Sequence, residues 1–448
     1  MKRSLIILFL YLSVFPILSA QTWKTDTTWL KGQGAEWDTL ISKAASFSTW
    51  YSDGRVILGG YRPRPEYGHY PYLLQFNLAE AEPVAQQIPF NGFPDKFKNS
   101  ANIINHFAAH FFRIPEHNRI IWHYDHSIAV TDTNYRYIKW NFEPMEWKNG
   151  KDRFYADYSL HVNAHHYIRF LGAKYKRRDF IRGKREGIAR FGKFEAPGLK
   201  PDEFVGIGRL NLHDLLNTQE AKIRHEKLEL FKLCDTLHNR WVLNRYATFL
   251  DDQDVLWFSD DFGRNLVRYD LNSGQQNCYS LVNSRPAFLP VQQFDIFPQP
   301  FALNAKREYD FNKRTWADFG TQIYHAERGK IGPIENAHIF VDESLDVFFR
   351  YYVIRTNDPT LLESLKPYYL SAIAYNPFRW YGVPWIPVFE FRKLSTMEIT
   401  GTFVVPDRDY LFVHADAQSV TLLKPMGEGA ERKLGLVRVS GGLREGKD

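Results

Sequence analysis

The chain has 448 residues, 44% hydrophobic and 24% charged, with 16% aromatic residues and a net charge of +6 at neutral pH. This composition excludes a disordered or collagen-like chain, and the length admits two average domains or one large closed all-β domain. Many aromatics, four methionines and few long Ala/Leu/Glu/Lys stretches lean toward strands.

Lys2 and Arg3 precede an almost unbroken apolar run from Leu5 to Leu18, and Ser19 and Ala20 follow it. A charged start, a short apolar core and a small residue predict a secretory signal peptide over residues 1–20, cut between Ala20 and Gln21. The run is short for a membrane span, which needs about 20 residues. An N-terminal anchor is the competing reading. No Cys follows the run, which argues against a lipoprotein anchor, and no later segment is apolar enough for a transmembrane helix. The expected address is the periplasm or the exterior, with any outer-membrane association made through a partner.

The rest of the chain repeats one layout. DGRVILGGY (residues 53–61) is followed by YLLQFNL (residues 72–78). EHNRIIWHYDHSIAVTDTNYRYIKWNF (residues 116–142) reads as a second unit, with a strand at Ile120–Trp122, a turn near Asp132 and then YRYIKW. FVGIGRLNL (residues 204–212) opens a third, ahead of a stretch at residues 214–233 that reads either as a helix or as a loop and a strand. DQDVLWFSD (residues 252–260) and NLVRYDLNSG (residues 265–274) form a fourth, in which LVRYDL matches the earlier LLQFNL. HIFVDESLDVFFRYYVIRT (residues 338–356) reads as a fifth, and the stretch from YLSAIAYNP to Pro425 as a sixth.

Each run is four to eight residues of alternating polarity, bounded by Gly, Asp, Asn or Pro. Such a unit cannot bury its apolar faces alone, and packing small sheets radially buries both. The expectation is an all-β fold: a single β-propeller domain over residues 21–448, six-bladed, with long loop insertions at residues 61–71, 174–200, 284–321 and 376–387. A two-sheet sandwich array is the competitor. The signal peptide, the LWFSD and NLVRYDLNSG phrases, and SLDVFFRYYVIRT followed by YLSAIAYNP resemble a family of exported bacterial proteins of unknown function. That resemblance implies a six-bladed β-propeller and export. It implies no reaction and no catalytic residue.

Cys234 and Cys278 are the two cysteines. Export permits a disulfide between them, and two buried small side chains are the equal alternative. Residues 174–200 hold ten Lys/Arg against three acids, so most of the excess charge sits there. Such a run marks either a solvated loop or an anionic contact, and export argues against nucleic acid.

Asp251, Asp252 and Asp254, with Asp260 and Asp261, flank the strand VLWF. Leu256 stands where a Ca²⁺-loop ligand should be, so the carboxylates read as turn caps. His161, His165 and His166 read as strand residues, where positions four apart lie about 13 Å apart, too far for one metal. No GxSxG, SxxK or P-loop appears. No metal, no cofactor and no catalytic residue is assigned. Two Pro-stiffened segments carry the candidate binding residues. Residues 60–72 supply Arg62, Arg64, Tyr67 and His69, and residues 376–387 supply Arg379, Trp380, Tyr381 and Trp385. Rings stack on sugar faces and arginines fork onto carboxylates. The leading expectation is a binding or interaction module for a glycan, a peptide or a cell-envelope protein. The alternative is a polysaccharide hydrolase or lyase with channel-facing carboxylates.

Overall fold

The computed structural model describes residues 23–33, 37–38, 46–64, 68–80, 82–88, 110–124, 127–142, 146–149, 152–173, 205–217, 227–231, 247–259, 265–281, 309–310, 315–316, 335–355, 359–370, 378–380, 383–407, 409–428 and 431–441. Six small antiparallel sheets stand as the blades of a β-propeller. The first strand, β1 (Lys24–Trp29), belongs to the last blade. Blade 1 holds β2 (Ser46–Ser52), β3 (Arg55–Arg64), β4 (Gly68–Asn77) and β5 (Gln86–Gln87). Blade 2 holds β6 (His110–Ile114), β7 (Arg119–Tyr124), β8 (Ser127–Asp132) and β9 (Tyr137–Phe142).

Blade 3 has five strands: β10 (Glu146–Asn149), β11 (Asp152–Val162), β12 (His166–Ala173), β13 (Val205–Asn211) and β14 (Lys227–Phe231), with helix α1 (Leu212–Asn217) after β13. Blade 4 holds β15 (Ala247–Leu250), β16 (Val255–Ser259), β17 (Asn265–Asp270) and β18 (Gln276–Ser280). A separate hairpin, β19 (Tyr309–Asp310) with β20 (Thr315–Trp316), precedes blade 5. Blade 5 holds β21 (Glu335–Asp342), β22 (Val347–Arg355), helix α2 (Pro359–Leu365), β23 (Phe378–Trp380), β24 (Val383–Lys393) and β25 (Ile399–Val404). Blade 6 holds β26 (Leu411–Ala415), β27 (Ser419–Met426) and β28 (Lys433–Ser440), and β1 pairs antiparallel with β28 as its outermost strand.

The inner strands meet around a common axis. The Thr49 hydroxyl of β2 donates to the Phe412 carbonyl of β26 at 2.9 Å, and the Arg113 amide of β6 donates to the Ser52 hydroxyl at 2.9 Å. The rings of Phe249 on β15 and Phe340 on β21 pack edge to face, and His338 on β21 packs on Phe412. Apolar clusters fill the seams between blades. Ile57, Phe111 and Trp122 lie between blades 1 and 2, Ile121 and Tyr167 between 2 and 3, and Trp257 and Phe348 between 4 and 5. Both faces of a central strand must then be apolar, which is why VLWFS is buried at all five positions.

The turns between first and second strands use one device. Asp53, Asn118, Asp254 and Asp346 all have φ between 47° and 63°, the left-handed region that Asp and Asn tolerate best after glycine. Gly54 at φ 67° completes the two-residue turn that joins β2 to β3. The carboxylates flanking VLWF take the same role: Asp251 Oδ1 accepts the amides of Gln253 and Val255. Asp260 and Asp261 lie outside the described residues.

Several expectations are corrected in detail. Residues 61–71 are not a loop insertion: β3 and β4 stay paired out to Arg64 and Gly68. Residues 376–387 likewise hold a hairpin, with Trp380 paired to Val383. Alternating Tyr, Pro and Arg satisfies a pleat as readily as a loop, so proline misled at what is a strand end. In the second unit the match to LLQFNL is Ser127–Asp132, and Tyr137–Phe142 is the fourth strand. The presumed sixth unit is split, because β24 and β25 complete blade 5 and β26 begins blade 6. His161, His165 and His166 are not on one strand, since β11 ends at Val162 and β12 begins at His166. The stretch at residues 214–233 is the end of a six-residue helix and, later, a strand.

Candidate functional site

A propeller blade leaves its first-to-second connections at one end of the ring and its second-to-third connections at the other. The first end carries the tight Asp and Asn turns described above. The second carries the β3–β4 and β22–β24 connections. Arg62 pairs in register with Tyr70, Pro63 with His69 and Arg64 with Gly68. Arg379 pairs with Pro384, and Phe378 with Trp385. The backbones of six of the eight candidate residues therefore leave equivalent corners of blades 1 and 5, which flank blade 6. Tyr67 and Tyr381 lie outside the described residues. The basic run, within residues 174–204, joins β12 to β13 and so begins and ends at this same end of blade 3. It too lies outside the described residues.

Every inner strand also carries half-buried side chains, several of them packed on the seams between blades. Tyr51, Phe112, His161, Phe249, His338, Phe412 and His414 are examples. Tyr51 stacks on His414 with centroids 3.7 Å apart. Burial pushes the His338 imidazole down to about 3, with the neighbouring His414 adding to the effect. Burial holds His414 down at about 4, against a partial upward pull from Asp416. Both rings are neutral at physiological pH. The contacts of blade 6 with blades 1 and 5 here are thus aromatic and uncharged.

Two charged constellations lie among the blades, one in the turns of blades 3 and 4 and one within blade 5. At the seam of blades 3 and 4, the Asn163 amide donates to Asp254 Oδ1 at 2.8 Å. His165 Nδ1 lies 3.1 and 3.2 Å from the two carboxylate oxygens, and His166 Nε2 lies 3.7 Å from Oδ2. Burial pushes the Asp254 pKa up, but these donors and imidazoles outweigh it and hold the group below its usual value. In blade 5, Glu390 is fully buried between Arg350 and Arg392. Arg350 Nε donates to Oε1 at 2.7 Å, Arg392 Nε donates to the same oxygen, and the Tyr352 hydroxyl donates to Oε2 at 3.2 Å. Burial raises the Glu390 pKa, yet the two guanidiniums win and keep it ionised. No linear motif marks either constellation. The only sequence hint is a charged residue at an inward position of an apolar strand, as in VFEFRK.

Cys278 on β18 is disulfide-bonded, and Cys234 lies outside the described residues. Among the described residues no group of three or more His, Cys, Asp or Glu is placed to hold a metal ion. Among them, too, no helix is long and apolar enough to cross a membrane.

No family model matches the chain, and no curated protein matches it. Among solved structures, it is similar to a Bacteroides fragilis protein classed only as exported, with 9% identity, TM-score 0.40, and coverage of 93% of this chain and 95% of that one. It is also similar to virginiamycin B lyase from Staphylococcus aureus, with 10% identity, TM-score 0.32, and coverage of 93% and 99%. A third is the catalytic domain of an α-L-arabinofuranosidase from Coprinopsis cinerea, with 8% identity, TM-score 0.30, and coverage of 82% and 95%.

Proposed function

We propose that this chain is an exported binding module that holds a glycan or a peptide at the end of the ring where second-to-third connections emerge. One observation carries the reading. The two Pro-stiffened segments, with Arg62, Arg64, Tyr67 and His69 on one and Arg379, Trp380, Tyr381 and Trp385 on the other, belong to equivalent corners of blades 1 and 5. The basic run stands in the sequence between β12 and β13, whose joined ends lie at the equivalent corner of blade 3. The export signal at residues 1–20, the single domain over residues 21–448, and a Cys234–Cys278 bridge suited to an oxidising compartment belong to the same proposal.

The test is a glycan array probed with the purified mature protein, followed by Trp380→Ala and Tyr67→Ala on any hit. Loss of binding with an unchanged melting temperature supports the reading. Loss of several degrees in both variants makes these rings packing residues. Release of reducing ends from a bound polysaccharide turns the reading to a hydrolase, and new unsaturated ends to a lyase.

A further inference from the structure

Blade 6 stands between the two corners just described, and its own edge carries an uncovered indole. Trp29 ends β1 and is 43% exposed. In register it faces Gly435 on β28, which in turn faces Lys424 on β27. A methyl group on Gly435 would lie 3.0 Å from Thr27 Cγ2 and 3.3 Å from Trp29 Cζ3. The six-membered part of the indole therefore leans across the glycine, one side on the sheet and the other toward solvent. A larger residue there would crowd Thr27 and the indole.

Strand alternation settles which side of the sheet this is. Thr25, Thr27 and Trp29 share one face of β1, and Trp23, just before the strand and in step with that face, packs on Phe391 and Phe403 of blade 5. Trp29 thus points the same way but stands beyond that packed zone, at the end of the blade where β27 stops and β28 starts. Lys433 is two residues before Gly435 on the same face, a diagonal neighbour of Trp29 at about 7–8 Å. Lys433 is exposed, and it pairs with Met426, which is 44% exposed. Lys424 lies on this face too, held by Asp407 and Tyr410. A ring with one open side, an exposed ammonium beside it and a thioether flank is a small platform with one ammonium at its edge, in a connection that also carries Glu428 and Glu431.

We infer that Trp29, Gly435 and Lys433 form a subsite for an acidic sugar, a pyranose carrying a carboxylate, stacked on the indole with its charge toward Lys433. The inference rests on the binding reading above and names its ligand class. The Lys433 ammonium favours a uronate over a neutral sugar. The indole lies across the strand ends rather than along β1, which favours a ring ligand over a peptide added to the edge strand.

The experiment is affinity electrophoresis of the intact mature protein in gels containing polygalacturonate or dextran, with tryptophan fluorescence titration in parallel. Retardation by polygalacturonate and not by dextran is expected. Trp29→Ala should weaken it about tenfold, the scale of one aromatic contact. Lys433→Glu should weaken it and reduce its salt sensitivity. Gly435→Val, which displaces the indole without removing it, should mimic Trp29→Ala. Polygalacturonate binding that survives all three variants overturns the platform but leaves the binding reading standing. Equal retardation by dextran overturns the acidic class. No binding to any glycan, or capture of an extended peptide that Trp29→Ala does not disturb, overturns both platform and ligand class.

Discussion

Asn163 and Asp254 face each other across the seam of blades 3 and 4, with the amide nitrogen of one 2.8 Å from a carboxylate oxygen of the other. Asn163 also accepts the amides of His165 and His166 and donates to the Asp251 carbonyl, so one side chain shapes its own turn and grips the next blade. Asp254 is nearly buried, and removing its charge strands the donors around it. Asp254→Asn should cost about 1–3 kcal/mol at pH 7, the scale of an unsatisfied buried polar group. Because its folded pKa is lowered, the Asp254 contribution is present above the unfolded value of about 3.9 and is lost as pH falls through the folded one. Urea unfolding of both proteins at pH 7 and pH 3 checks this. A gap that does not narrow at the lower pH refutes it.

Glu390 is the single described counter-charge between two guanidiniums at zero exposure. Glu390→Gln keeps the shape but leaves two buried cations facing each other. Breaking a buried pair from one side costs about 3–5 kcal/mol. The variant should lose that much in urea unfolding, and Glu390→Gln with Arg350→Met and Arg392→Met together should recover part of it. A loss below about 1 kcal/mol for the single change would mean that the carboxylate is dispensable.

The repeat was legible because the physics behind it is local. LLQFN and LVRYD end in a residue that caps the following turn, and Asn77 and Asp270 both do so, accepting the amides of Ala79 and Asn272. What joins blades was not legible. Asn163 meets Asp254 from 91 positions away, and Trp23 meets Thr402 from 379. No period in the sequence encodes such pairs. The closing strand was missed for the same reason: KTDTTW is mostly exposed, so it lacks the apolar alternation that betrays a central strand. Trp29 was invisible as a candidate because its partner in the argument is a glycine on the far end of the chain.

That closing strand carries the next expectation. β1 joins the first residues of the fold to the last blade through six consecutive pairs, from Lys24–Ser440 to Trp29–Gly435. It exchanges ladder bonds with β28 and anchors Trp23, whose Nε1 donates to the Thr402 carbonyl at 3.2 Å. Deleting residues 21–29 should leave every other blade intact yet expose the edge of β28. The ring should then lose cooperativity, giving a lower urea midpoint and faster proteolysis of residues 411–440 than of residues 335–404. Equal cleavage in both regions would show that blade 6 does not depend on its borrowed strand.

The two axial histidines give the last expectation. His338 and His414 are neutral in the folded protein down to about 3 and about 4, whereas an unfolded histidine takes its proton near 6.5. Between those values the unfolded chain binds more protons, so stability must fall as pH is lowered from about 6.5 toward 4. The groups around the pair are Asp416, Tyr51 and Phe412, and each imidazole faces the other. Asp416 opposes the effect at His414 alone. Asp254 and Glu390 act only below their unfolded values of about 4, so the two windows are separable. The urea midpoint of the native protein should drop between pH 7 and pH 5, and the His338→Gln, His414→Gln double variant should drop less. A double variant with the native slope would place these imidazoles in water and remove burial as the cause of their lowered pKa values.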